Sequence, residues 1–228
     1  MNITVNIDYR TAWGERLVLV LAGGKRVDMS CSGSIWVAMF SVPKSAKKLE
    51  YTFEVVDSEG NTLRTEWGEG HSYAVATDAK SLVVEDCWAD RPSNRAFYTS
   101  MFTDTVFSHE AVAAQPLAQG GVRLEVEAVT LRRDEALALA GSTAQMGEWD
   151  DSRLVAMEHV GGSVWSATLQ SAETAAEYKF VVVNKATGAV VRWEEGQNRV
   201  MPYFGASEAA YIIRGMLLVP WHVHILRE

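Results

Sequence analysis

Four side chains gathered near the C-terminal third of the chain could do chemistry together: Lys179, Trp193, Glu194 and Asn198, within EYKFVVVNKATGAVVRWEEGQNR from Glu177 to Arg199. An indole face is apolar and flat, and it can stack on the C–H face of a pyranose ring. Lys179 and Asn198 offer N–H donors to hydroxyls, and Glu194 offers an acceptor. This set holds a polyhydroxylated ring; it does not break one. The acidic pairs Asp150-Asp151 and Glu194-Glu195 are adjacent in sequence, so on a strand their side chains face opposite ways and cannot flank one glycosidic bond. There is no GxSxG elbow, HExxH or P-loop, and Gly68-Glu69-Gly70 lacks the third glycine of a dinucleotide fingerprint. His222 and His224 share one face of any strand but lack a third ligand for a metal. The residues therefore imply no catalytic group, no cofactor and no metal.

The elements that must position these groups read as strands. Tyr178 to Val183 is rich in β-branched and aromatic residues, Asn184 to Gly188 has turn chemistry, and Ala189 to Trp193 returns, so the segment predicts a β-hairpin. Upstream, Ile3 to Tyr9 alternates apolar with polar, as a half-buried strand does. Further strands are expected at Arg16–Ala22, Ile35–Val42, Leu49–Asp57, Thr62–Trp67, Tyr73–Ala76 and Ser81–Trp88. No long 3.6-residue period occurs in this half, so an antiparallel sandwich or barrel is implied.

Bulk properties narrow the partners. The net charge of −8 argues against nucleic acid and against an anionic membrane surface. No apolar run reaches the roughly 20 residues of a membrane helix. The start of the chain lacks a basic segment followed by an apolar one, so no signal peptide is expected. Two widely spaced cysteines, Cys31 and Cys87, suit reduced thiols, and a cytoplasmic location is expected.

The chain repeats itself. Leu19-Val20-Leu21-Ala22-Gly23 returns as Leu137-Ala138-Leu139-Ala140-Gly141, and Ser34-Ile35-Trp36-Val37-Ala38 as Ser163-Val164-Trp165-Ser166-Ala167. Tyr51-Thr52-Phe53-Glu54-Val55-Val56 returns as Tyr178-Lys179-Phe180-Val181-Val182-Val183, and Leu63-Arg64-Thr65-Glu66-Trp67-Gly68-Glu69-Gly70 as Val190-Val191-Arg192-Trp193-Glu194-Glu195-Gly196. Matches in the same order imply two copies of one β domain. The second copy alone carries Gln145-Met146-Gly147-Glu148-Trp149-Asp150. The expected division is 1–89 for a stripped copy, 90–119 for a packed linker with Arg95, Phe97, Phe102 and Phe107, 120–216 for a complete copy, and 217–228 for a tail with Trp221.

Met146-Gly147-Glu148-Trp149, Trp165, Glu177-Tyr178-Lys179-Phe180 and Trp193-Glu194-Glu195-Gly196-Gln197-Asn198-Arg199 together resemble the signature of family-twenty starch-binding modules. The resemblance implies an all-β fold of two antiparallel immunoglobulin-like β-sandwich domains in tandem, the first degenerate. It implies a carbohydrate-binding site for α-1,4-glucan (starch, glycogen, maltooligosaccharides) at Trp149, Lys179, Trp193, Glu194 and Asn198, with Trp165 in the core. A second site at Trp13 and Trp67 is a further possibility it raises. Tandem modules with this linker look like the N-terminal part of disproportionating, amylomaltase-type 4-α-glucanotransferases. The expected partner is then a C-terminal catalytic domain that the chain lacks, which leaves a non-catalytic region. The alternative is a structural pair of sandwiches that mediates oligomerisation or domain contacts without binding sugar. The sequence leaves open which glucan, linear or branched, is preferred.

Overall fold

The computed structural model describes residues 1–90, 109–129, 131–171, 175–202, 204 and 208–217. Arg95, Phe97, Phe102, Phe107, Trp221, His222 and His224 lie outside the described residues, as do 91–108 of the expected linker and 218–228 of the expected tail. The described residues fall into two compact units. The first takes 1–90, 114–124 and 208–214.

The first unit opens with β1 (Asn2–Asp8), β2 (Arg16–Leu21), β3 (Arg26–Asp28), β4 (Ser30–Ser32) and β5 (Ile35–Ser41). It continues with β6 (Lys48–Val56), β7 (Thr62–Thr65), β8 (His71–Ala74) and β9 (Ser81–Asp86). One sheet has the order β3-β2-β6-β7, with β8 on the other end of β6. The other includes β4-β5-β1-β9. The alternation in β1 does what it must: Ile3, Val5 and Ile7 are buried, facing Leu17, Leu19, Phe53 and Val55 from the opposite sheet. Each such side chain contributes about 1.5–3 kcal/mol by leaving water. The seven expected strands are all present; β3 and β4 were too short to leave a periodic signal. Pairing departs from antiparallel at β9, which runs parallel to β1 and to residues 209–213.

Chain order continues with β10 (Val122–Glu127), β11 (Glu135–Gly141), β12 (Val155–Ala156), β13 (Glu158–Gly161) and β14 (Val164–Leu169). The last strands are β15 (Ala176–Asn184), β16 (Val190–Trp193), β17 (Arg199–Met201) and β18 (Ala209–Met216). β10 and β18 begin in the first unit and end in the second. The second unit's main sheet has the order β12-β11-β15-β16, with β17 on β15. Its expected hairpin is β15–β16, and Trp165 on β14 is 4% exposed, in the core as expected.

The registers of the two sheets coincide. β2 pairs β6 with Leu19 opposite Phe53, and β11 pairs β15 with Leu139 opposite Phe180. β7 and β16 each carry a bulge, at Leu63 and Val191, before Thr65 meets Glu54 and Trp193 meets Val181. β8 places His71 opposite Tyr51, and β17 places Arg199 opposite Tyr178. The same loop clamp also recurs. Glu15 accepts from the Ala12 amide and from Arg64, and Glu135 accepts from the Arg132 amide and from Arg192. In sequence the repeat is a pattern of letters. In structure it is a shared register.

Candidate functional site

The second unit differs from the first on the outer face of its main sheet. In the first unit that face carries the charged Glu54, tied to Arg26 and Thr62, at the place of Val181. In the second unit Ala138, Ala140, Val181 and Val183 make the face apolar, and Trp149, Leu154 and Trp193 pack against it. Small residues at 138 and 140 leave room for two indoles above them. Both indoles remain half-exposed. Their centroids stand 6.5 Å apart with the planes inclined by 43°.

Trp193 ends β16, so the sheet fixes it. Trp149 arrives on a loop built for it. Two short 3₁₀ turns, Ala144–Trp149 and Asp151–Arg153, fill the connection between β11 and β12. Gly147, Glu148 and Trp149 are all left-handed, with φ of 80°, 52° and 64°. For a bulky residue this is an outlier, and such strain costs about 1–3 kcal/mol per residue. The surroundings enforce it. A Cβ on Gly147 would stand 2.3 Å from the Arg153 carbonyl oxygen, so no larger residue fits. The Asp150 carboxylate accepts from the Ser152 amide and hydroxyl, and Arg153 donates to Glu148 and Asp150. Beneath them Met146, 1% exposed, fills the space that a Cβ on Gly141 would take.

Lys179 is brought to the same face, opposite Ala140. Its ammonium donates to the carbonyls of Glu194 (3.0 Å) and Gly196 (2.5 Å), which leaves one N–H of three for a ligand. Asn198 is exposed and donates to Glu177 at 2.8 Å. Trp149, Trp193, Lys179 and Asn198 thus share one region: two from the sheet and two from the loops beside it.

Glu194 is a correction. The sequence suggested a sugar acceptor, yet its side chain is 1% exposed. Its carboxylate takes the Arg199 guanidinium through Nε and Nη2, and it accepts from the Phe180 amide at 3.4 Å. A buried carboxylate must be matched in this way, and a matched one has nothing left for a ligand. Register hides it: Trp193 faces out, so its neighbour faces in.

The residues of the suggested second site, Trp13 and Trp67, stand apart in character. Trp13, at the tip before Gly14, is fully exposed. Trp67 is half-buried, donates its amide to the Ala89 carbonyl, and stands two positions past Thr65. It therefore matches Glu195, while Thr65 matches Trp193. The first unit likewise has Thr52 at the place of Lys179 and Gly70 at that of Asn198. Sequence reasoning missed Gly147 and Arg199 as parts of the site; the Gly-x-Trp spacing and an arginine just past Asn198 were the available signals.

Residues 120–211 match the family model described as a starch binding domain. Among curated proteins, the chain is 25% identical over 227 residues to the 4-alpha-glucanotransferase DPE2 of Oryza sativa subsp. japonica, covering 87% of this chain and 24% of that one. The chain thus spans about a quarter of that relative's length. Among solved structures, the family 15 glucoamylase of Hypocrea jecorina is 21% identical, with a TM-score of 0.40 over 49% of this chain and 19% of that one. The family 20 module of the maltotetraose-forming amylase of Pseudomonas saccharophila STB07 is 17% identical, with a TM-score of 0.35 over 41% of this chain and 98% of that one.

Proposed function

We propose that the second unit, whose residues 120–211 match the starch binding domain model, binds α-1,4-glucan on Trp149 and Trp193, with Lys179 and Asn198 on the sugar hydroxyls. The observation that carries this reading is the inclined indole pair on an otherwise apolar face. An α-1,4 linkage turns each glucose ring relative to the last, so neighbouring ring faces along the chain are not coplanar. Two platforms inclined by 43° suit such a curved chain better than the flat ribbon of a β-1,4-glucan. Each stack contributes roughly 1–3 kcal/mol by analogy with bases on aromatic side chains. Against the cost of ordering the chain, a dissociation constant of about micromolar to millimolar follows.

The first unit, with threonine, threonine and glycine at the positions of Trp193, Lys179 and Asn198, is a degenerate copy in the same tandem. Exposed Trp13 is a contact it offers sugar. The pair serves a 4-α-glucanotransferase by keeping α-glucan close, since weak sites gain strength along a repeating polymer. The test is calorimetric titration of maltoheptaose into the parent, Trp149→Ala and Trp193→Ala proteins. One site per chain, lost in both variants, supports the reading. Unchanged binding in the Trp193→Ala protein overturns it.

A further inference from the structure

We infer that Glu194 and Arg199 are positioning residues: a buried ion pair that sets the pose of Trp193 and of the loop carrying Asn198. The inference rests on the glucan-binding reading above. Glu194 follows Trp193 directly, and its backbone and side chain are both fixed. Its amide donates to the Phe180 carbonyl at 3.0 Å, and its carboxylate accepts from the Phe180 amide. Arg199 closes the far end of the loop with the fork onto Glu194, donates to the Met216 carbonyl at 2.6 Å, and lies 5.1 Å from the centroid of the Phe180 ring. Between these ends, Lys179 holds the carbonyls of Glu194 and Gly196. The loop is short, solvent-exposed from Glu195 to Asn198, and tied at both ends and in the middle.

The first unit shows that this anchor is separable from sugar contact. There Glu66 follows Thr65, accepts from the Phe53 amide at 2.7 Å, and meets His71 at 2.9 Å. His71 is shorter than Arg199, and Asp86 reaches its other ring nitrogen at 3.1 Å. In the second unit the longer Arg199 lies against Gly215, where a Cβ would stand 2.9 Å from the guanidinium. Histidine with aspartate and arginine with glycine are thus two fillings of one place beside a buried glutamate. The anchor holds a loop in both units; the ligand groups on that loop occur in one.

The test reads the indole pair and the affinity separately. Two indoles with centroids 6.5 Å apart couple their transitions and give an exciton couplet in far-ultraviolet circular dichroism. Glu194→Ala is expected to weaken that couplet and to lower maltoheptaose affinity about tenfold or more, as loss of a supporting partner does in other sites. Arg199→Lys keeps the charge but not the fork, is expected to do the same in smaller measure, and is the variant to read if Glu194→Ala does not fold. Arg199→His is expected to lose affinity, and adding Gly215→Asp to restore it, because the pair recreates the filling of the first unit. A merely destabilising change would not be rescued in this way. A couplet and an affinity unchanged in both Glu194→Ala and Arg199→Lys overturn the inference. If the parent itself does not bind maltoheptaose, the glucan reading fails, and the couplet alone still decides whether the anchor sets the indole pose.

Discussion

Thr65 in the first unit and Trp193 in the second hold the same register position, each two residues past a bulge and each opposite the central strand at an equivalent residue, Glu54 or Val181. Writing tryptophan at 65 would therefore place an indole on the matching face. It would not make a site. The connection between β2 and β3 in the first unit is a tight turn at Gly23-Gly24, with no arm to bring a second ring. Calorimetry on Thr65→Trp is expected to show the stoichiometry of the parent; a second site with parental affinity would mean that register alone suffices.

Gly147→Ala tests the strained arm. Alanine disfavours a φ of 80°, and its Cβ would collide with the Arg153 carbonyl. A loss of about 1–3 kcal/mol in unfolding free energy is expected, with a larger proportional loss of maltoheptaose affinity because Trp149 shifts. Thermal and denaturant unfolding beside calorimetry would show it. Parental binding in a stable Gly147→Ala protein would mean that the left-handed turn is not needed to present Trp149.

The buried His71 sets a pH dependence. Burial alone pushes its imidazole down, but the Asp86 charge and the hydrogen bonds to Asp86 and Glu66 outweigh it and lift the pKa to about 10, from 6.5. The phenol of Tyr51 bonds the same Asp86 and is pushed well up, chiefly by burial. A base raised on folding contributes stability that is full below about pH 6.5 and is lost as pH rises through about 10. Asp86 behaves oppositely. Burial raises it, yet the His71 charge and hydrogen bonds hold it below 3.8, so its contribution is lost only in acid. Melting of the parent is expected to be most favourable between about pH 4 and 6.5 and to fall toward pH 10, and His71→Gln is expected to flatten that alkaline fall. His71→Ala leaves buried carboxylates unmatched and is expected to cost about 3–5 kcal/mol. An alkaline limb identical in parent and His71→Gln would contradict this.

Much of this was legible in the letters, and the failures have physical causes. Alternation in Ile3, Val5 and Ile7, and turn residues at Asn184 to Gly188, were enough for strands, because burial and turn chemistry are local. The repeat set Trp149, Lys179 and Asn198 apart as residues the stripped copy does not hold. Glu194 was misread because its facing depends on register, which the bulge at Val191 resets. The match of Trp67 to Trp193 failed for the same reason: the letters agree, but two positions out of register. The parallel pairing of β9 with β1 joins residues some eighty apart and leaves no local trace. Arg199 and His71 were invisible as equivalents because the chemistry they share, a base on a buried glutamate, is carried by different residue types.

The central claim is that glucose rings sit on Trp149 and Trp193. The most direct measurement is a maltoheptaose titration of ¹⁵N-labelled protein, followed through the indole N–H resonances assigned by single tryptophan replacements. The Trp149 and Trp193 signals are expected to move and saturate together, while those of the core residues Trp36 and Trp165 stay still. Stationary Trp149 and Trp193 signals at saturating maltoheptaose, or movement confined to Trp13, would contradict it.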